Sequence, residues 1–393
     1  MITPDEAMKR LLALASPVDI ETLPLLEATG RWAAKTVLAR RTQPARDLSA
    51  MDGYAIRHAD LPGPWRVIGE SAAGTPFVSQ VGAGDAVRIF TGAALPDCAD
   101  SIVIQEDITR EGHMIALSGD SRNGIGIGTH VRPAGSDFAK GQTLIEDGAR
   151  LTPARIGLAA TGGHSTLPVR RRITIAIIST GDELVPLGTY PGADHMPASN
   201  AVMLAAMLKH LPVDVTDFGI TPDHKSALTA AFLKAADYDI IVTTGGASVG
   251  DHDLVQPALI DAGATIDFWK IAMRPGKPLL AGRLSKAIAL GLPGNPVSAF
   301  VTATLFLKPL IAHLSGAKDS APLTLTARLA SDMPNVSTRT DYVRAHWMDG
   351  AIVPLSGDSG MLTPLAAASA LIIRPAGSPA AFAGNMVTVI PVT

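Results

Sequence analysis

The stretch RRRITIAIISTGDELVP, residues 170–186, decides the fold. From Ile173 to Ile178 the run is apolar and β-branched with only Thr174 interrupting it, the pattern of a strand buried on both faces rather than one. It breaks into a glycine turn at Gly181 that carries Asp182 and Glu183. A strand covered on both sides needs helices above and below it, so the residues around it should alternate between strand and helix.

The downstream sequence alternates in this way. Strands are predicted over 213–219, 240–244, 265–271 and 287–290, and helices over 225–236, 254–262 and 296–314, which together describe a largely parallel sheet built from βαβ crossovers. Upstream, residues 3–15 and 23–40 have apolar positions at helical spacing and predict two helices. The first opens with Thr3 as N-cap, Pro4 in the first turn and Glu6 placed for a capping box. Residues 44–141 change character to short β-branched runs at 65–68, 86–89 and 101–105, separated by Gly, Pro and Asp, and predict a small β module. A helix is expected over 153–160, and from residue 316 onward short strands return. The resulting division is a helical and β linker unit (1–44 and 141–171), an inserted β-rich unit (45–140), a three-layer α/β unit (172–315) and a C-terminal β unit (316–393).

At 393 residues the chain is too long for one ordinary core. Its formal net charge of −3 supplies no basic field of the kind that nucleic acid or an anionic membrane surface requires. A single cysteine, Cys98, leaves no disulfide framework and no multi-cysteine metal site, which fits a reducing, cytoplasmic setting. The N-terminus has no basic-then-apolar signal pattern. The longest apolar stretches, such as 296–307, are interrupted by Ser and Thr and fall short of the about 18 residues of a membrane span. A soluble protein is expected.

Ligands of open α/β sheets bind at the carboxyl ends of the strands. Three glycine-rich loops fall there: STGDEL (179–184), TTGGASVGDHD (243–253) and LPGNPVS (292–298). Glycines let the main chain approach phosphate oxygens, and Thr180, Thr244, Ser248 and Ser298 add hydroxyl donors. Pro296 suits a first helical turn, whose free N–H groups can face an anion. FWKIAMRPGKP (268–278) brings Lys270, Arg274 and Lys277 to the same edge, where cations neutralise an oxyanion. Carboxylates recur beside them at Asp182, Glu183, Asp223, Asp251 and Asp253. Phosphate cradles and carboxylates in one site would repel the ligand unless a hard cation bridged them, and Mg²⁺ is the expected bridge.

In these loops the chain resembles the molybdopterin molybdenumtransferase family, of the MoeA and gephyrin E-domain type. The likeness extends over essentially the whole chain through three more blocks: SAMDGYA (49–55), the segment from Thr91-Gly92-Ala93 to Glu106, and RPAGSDF (132–138). The resemblance implies a four-part subunit with a molybdopterin-binding α/β domain. It also implies a homodimer in which the inserted β module faces the partner's α/β domain, bringing Asp52, Thr91 and Asp137 to the site. The implied reaction is insertion of molybdate into adenylylated molybdopterin with release of AMP, dependent on Mg²⁺.

By motif position, Arg274, Lys277, Ser248 and Arg344 would contact molybdate. Glu183, Asp223 and Asp253 would hold Mg²⁺ or the pyrophosphate-bearing end, with Glu183 and Asp253 as metal ligands, and Lys270 would neutralise charge. Thr180, Gly181, Gly245, Gly246, Gly250, Pro293, Gly294, Asn295 and Ser298 would line the substrate. The implied partners are a molybdopterin adenylyltransferase and proteins that mature molybdoenzymes. The chain departs from the family at Arg274, often Lys, at Cys98, often Gly, and at Ser369, often Asn or Asp. Rival readings are an adenylyltransferase, a pyrophosphate-cleaving nucleotide hydrolase, and a molybdopterin carrier or scaffold without catalysis. The first two would have no use for the block at 49–55.

Overall fold

The computed structural model describes residues 1–119, 124–190, 192–246 and 254–392. Its centre is a six-stranded sheet. The strands are β1 (Ile173–Thr180), β2 (Val213–Thr221), β3 (Ile240–Thr244), β4 (Thr265–Trp269), β6 (Leu280–Leu284) and β7 (Ala287–Leu292), with a short β5 (Met273–Arg274) that leaves the sheet after β4. The order across the sheet is β2-β1-β3-β7-β6-β4. β1 pairs parallel with β2 and β3, and β3 pairs parallel with β7.

The sheet is less parallel than its sequence predicts. β6 runs antiparallel to β7 and to β4, through a hairpin that turns at Ser285 (φ +53°). Because β4 lies antiparallel to β6, it points the same way as β7, and its carboxyl end joins the edge that carries the glycine loops.

Both faces of the sheet are buried, as the unbroken apolar run of β1 requires. Ile173, Ile175 and Ile177 enter one core with helix α1 (Ser199–Leu208) and the long helix after β7. Ala176 and Ile178 enter the other with α2 (Lys225–Ala235) and α3 (Val255–Asp261). Fully burying side chains of this size contributes about 1.5–3 kcal/mol each, so these two layers dominate the stability of the unit.

The helix after β7 is continuous over Pro296–Leu314 with a π-helical stretch at Ala303–Leu307. Its 19 residues match the predicted span, but its apolar character runs past residue 307, enough by length and composition to cross a membrane; 78% of that stretch is buried. It is the core helix of the domain. Helix Pro4–Ala13 packs beside it through Ala7 and Leu11. Thr3 Oγ1 accepts from Glu6 N at 3.2 Å, as the N-cap pattern predicts.

Residues 23–40 do not form the expected helix. Ile20–Pro24 pairs antiparallel with Thr166–Arg170, and Val37–Leu38 pairs with Thr143–Ile145. Pro24 and Gly30 (φ +81°) interrupt any helical run, and Ala28, Ala33 and Val37 are spent on a small core with Ile145, Leu151 and Val169. Long-range pairing overrides the Ala- and Leu-rich composition here.

The inserted module is a six-stranded sheet around the fully buried Trp65. The C-terminal unit is a sheet of β8 (Leu325–Arg328), β9 (Thr340–Met348), β10 (Ala351–Pro354), β11 (Ala370–Arg374) and β12 (Met386–Pro391). Its edge is completed by β5, which pairs parallel with β9 through Met273↔Thr340 and Arg274↔Asp341. The cation segment thus belongs to two sheets at once.

Candidate functional site

The ends of β1, β3 and β7 lie side by side, and their loops touch in sequence. At Gly245 (φ +101°) a Cβ would stand 2.2 Å from the Thr180 carbonyl oxygen. At Gly294 it would stand 3.4 Å from Gly245 Cα. Only glycine permits the first approach, because both the positive φ and the contact exclude a side chain. Gly246 (φ +59°) is likewise closed by Val255 and Thr180. Thr180 is buried and its hydroxyl donates to Asp223, whose own N–H donates to Asp182 at 3.1 Å. Gly181 lies beneath Glu183, with Oε2 2.5 Å from the position of a Cβ.

The third loop leads to the C-terminal sheet. Asn295 Nδ2 donates to Ser359 Oγ at 2.9 Å, and Val297 N donates to Ser359 O at 3.2 Å. This corrects the expectation of a free helix start, since a C-terminal loop already occupies one of its first N–H groups. Asn200 Nδ2 donates to Gly294 O at 2.6 Å and fixes the loop from the other side.

Between this edge and the C-terminal sheet is a cavity of about 970 Å³. Six residues singled out from sequence line it: Arg274, Lys277, Pro293, Asn295, Ser298 and Arg344. Arg274 is exposed, and its Nε lies 3.4 Å from Asp341 Oδ1. Arg344 is 6% exposed and donates to the carbonyls of Met361, at 2.9 Å, and Gly357. Burial lowers its pKa against the opposing charge of Asp358. Tyr342, also in the wall, has its phenol pushed up to about 12 by burial.

Other expected residues stand apart from the cavity. Thr180, Gly181, Glu183, Asp223, Gly245 and Gly246 form the adjoining cradle. Lys270 (φ +93°) holds its ammonium 4.6 Å from the Trp269 ring centroid, a cation–π contact. Ser248, Gly250, Asp251 and Asp253 lie outside the described residues. Among the described residues no group of three His, Cys, Asp or Glu has metal-ligand spacing.

Within one chain Asp52 and Thr91 join each other and not the cradle. Asp52 Oδ1 accepts from Thr91 N at 2.7 Å and from Thr91 Oγ1 at 2.8 Å. These two donors, with help from Arg88, hold its pKa below the ordinary carboxylate value. The Asp137 carboxylate is exposed and makes no hydrogen bond or ion pair among the described residues. Ser369 Oγ accepts from Trp347 N at 3.2 Å, a bond internal to the C-terminal sheet.

Sequence reasoning missed Asp341, Arg339, Ser359 and Arg374, which complete the cavity wall. Only Arg339 and Asp341 carried a signal, since they lie within five residues of Arg344.

The fold and site define a multidomain α/β protein whose glycine-loop edge meets a C-terminal β unit across a cavity lined by cations. Comparison with known proteins gives the family. Descriptions of the MoeA N-terminal region (domains I and II), a probable molybdopterin binding domain and the MoeA C-terminal region (domain IV) match residues 2–163, 176–313 and 326–392. The chain is 36% identical over 353 residues to the molybdopterin molybdenumtransferase of Haemophilus influenzae, covering 88% of this chain and 86% of the relative. It is 34% identical to that of Nostoc sp., covering 96% and 90%. A crystal structure of the molybdopterin biosynthesis MoeA protein of Pyrococcus horikoshii superposes with a TM-score of 0.86 at 26% identity, covering all of both chains. The chain belongs to the MoeA family.

Proposed function

We propose that this chain is a molybdopterin molybdenumtransferase of molybdenum cofactor biosynthesis, which inserts molybdate into adenylylated molybdopterin and releases AMP. The observation that carries this reading is the meeting of Arg274, Lys277, Ser298 and Arg344 in one cavity beside the three-loop cradle. Molybdate is a tetrahedral dianion that must approach an already anionic substrate. Fixed cations and oriented dipoles offset that repulsion and hold the two together. The length of cradle plus cavity suits a ligand with a pterin at one end and a nucleotide at the other.

The cradle's acids fit Mg²⁺, which is commonly held by one or two carboxylates together with substrate phosphates and water. Glu183 and Asp182 are exposed on the first loop, and Asp223 is fixed next to them by Thr180. When bound, the ion would screen phosphate oxygens. The chain's own part is to orient the anhydride over the glycine loops and to hold the oxyanion at Arg274 and Lys277. Asp52, Thr91 and Asp137 reach this site from a second subunit if the protein works as a homodimer. Their separation from the cradle within one chain supports that arrangement.

The test is molybdate-dependent AMP release from adenylylated molybdopterin and Mg²⁺ by the purified full chain, beside Lys277→Met. Release that needs molybdate and falls at least about tenfold in the variant is expected from loss of one charge-assisted contact. Tight substrate binding with no release under any condition would identify a carrier or scaffold instead.

A further inference from the structure

The cavity wall on the strands next to Arg274 has charges that the molybdate site does not use. Arg339 lines it half-buried and makes no hydrogen bond or ion pair among the described residues. Arg374, the ladder partner of Asp341, is 4% exposed. Its Nη2 donates to the carbonyls of Pro334, at 3.3 Å, and Pro379, while its buried Nη1 has no partner.

None of the carboxylates in the cavity forms an ion pair with these two arginines among the described residues. Asp341 stands directly across the ladder from Arg374 but gives its carboxylate to Arg274. Asp332 Oδ1 accepts from Ala383 N at 2.8 Å, and Asp358 Oδ1 from Gly360 N at 2.8 Å. Five cations and three carboxylates line the cavity, so an excess of positive charge remains, and on this wall it belongs to Arg339 and Arg374. A buried guanidinium with no counter-charge is costly in a low-dielectric wall, and a bound anion offsets that cost.

We propose that Arg339, backed by the buried charge of Arg374, forms a second anion subsite that takes a phosphate group of the organic substrate while molybdate occupies Arg274 and Lys277. This rests on the transferase reading. The volume supports it, because about 970 Å³ is at the upper end of pockets that enclose whole organic ligands, far beyond the need of one tetrahedral oxyanion. Arginine supplies the planar fork that phosphate oxygens accept in pairs, and Ser331 and Ser337 line the same wall with hydroxyls.

The test titrates the full-length protein, first saturated with molybdate, with inorganic phosphate, AMP and adenosine in separate arms. Phosphate and AMP should bind without displacing molybdate, and adenosine should not compete with phosphate. AMP binding tighter than inorganic phosphate would assign the subsite to an esterified phosphate, and equal affinity to the bare oxyanion. Arg339→Met, half-buried and therefore compatible with folding, should weaken both anions about ten- to a hundredfold, the usual range for a lost charged hydrogen bond. Its affinity for molybdate alone should stay within about twofold. The subsite is refuted if phosphate only displaces molybdate, if Arg339→Met leaves phosphate affinity unchanged, or if molybdate affinity falls in parallel. Failure of the transferase reading would appear separately, as absence of AMP release from the wild-type chain in the assay above.

Discussion

Replacing Gly245 by Ala should damage the cradle by an amount that can be divided into two causes. The residue has φ +101°, and a Cβ there would lie 2.2 Å from the Thr180 carbonyl oxygen. Carbon and oxygen normally meet at about 3.3 Å or more, so β1 and β3 would have to part by about 1 Å at their ends. Backbone strain of this kind costs about 1–3 kcal/mol, and overpacking against a rigid neighbour adds about 1–3 kcal/mol. Gly263 supplies the control: its φ is +96°, but nothing lies within 4 Å of its Cβ position, so Gly263→Ala carries only the first cost. Urea unfolding of both variants, followed through the α/β domain, should show the Gly245 midpoint lower by about 1 M than the Gly263 midpoint, for about 2 kcal/mol at a slope of about 2 kcal/mol/M. Equal midpoints would mean that the loops yield without cost, and that close packing at the strand ends does not shape the site.

Two further outcomes follow from ionisation. Thr91→Val removes the hydroxyl donor to Asp52 but keeps the N–H, so the Asp52 pKa should rise part of the way toward its ordinary value; carboxyl NMR titration checks this, and an unmoved value would discredit the assigned bond. Because the folded pKa is lowered, the stabilisation is present above the unfolded value and disappears as pH falls through the folded one. Tyr342 runs the other way: its phenol is raised to about 12, so its neutral form is favoured by folding, and that contribution is complete below pH of about 10 and lost as pH climbs toward 12. Ultraviolet titration of the four tyrosines should show one late phenol that is absent in Tyr342→Phe; four ordinary titrations would refute its burial.

Much of the central domain was legible because its signals are local. The apolar run of β1, the helices over 225–236 and 254–262, and the glycine turns each depend on residues close in sequence, so pattern reading finds them. The errors came where distant partners decide. Residues 23–40 have helical composition but are claimed by strands at 143–145 and 166–170. The hairpin joining β6 to β7 turns at Ser285 and Lys286, which give none of the Asn-Gly or Asp-Gly signals of a tight turn. For the site, glycine loops and clustered cations were visible as motifs. Arg374 was not, because a lone arginine between apolar strand residues and a proline differs from a surface charge only once the fold buries it. The ion pair of Arg274 with Asp341 was hidden for the same reason, since 67 residues separate its members in the chain.

The two-residue strand β5 has a consequence for how the protein can be taken apart. Met273 and Arg274 are covalently part of the α/β unit but hydrogen-bond with Thr340 and Asp341 of the C-terminal one. The two units therefore cannot be exchanged like beads on a string. A hybrid carrying a foreign C-terminal unit would have to offer a matching edge to residues 273–274, or the guanidinium of Arg274 would lose its anchorage even with every other motif intact. Any tilt of that unit against the α/β domain would also drag Arg274 with it, so the C-terminal unit works as a handle on the cavity's cations.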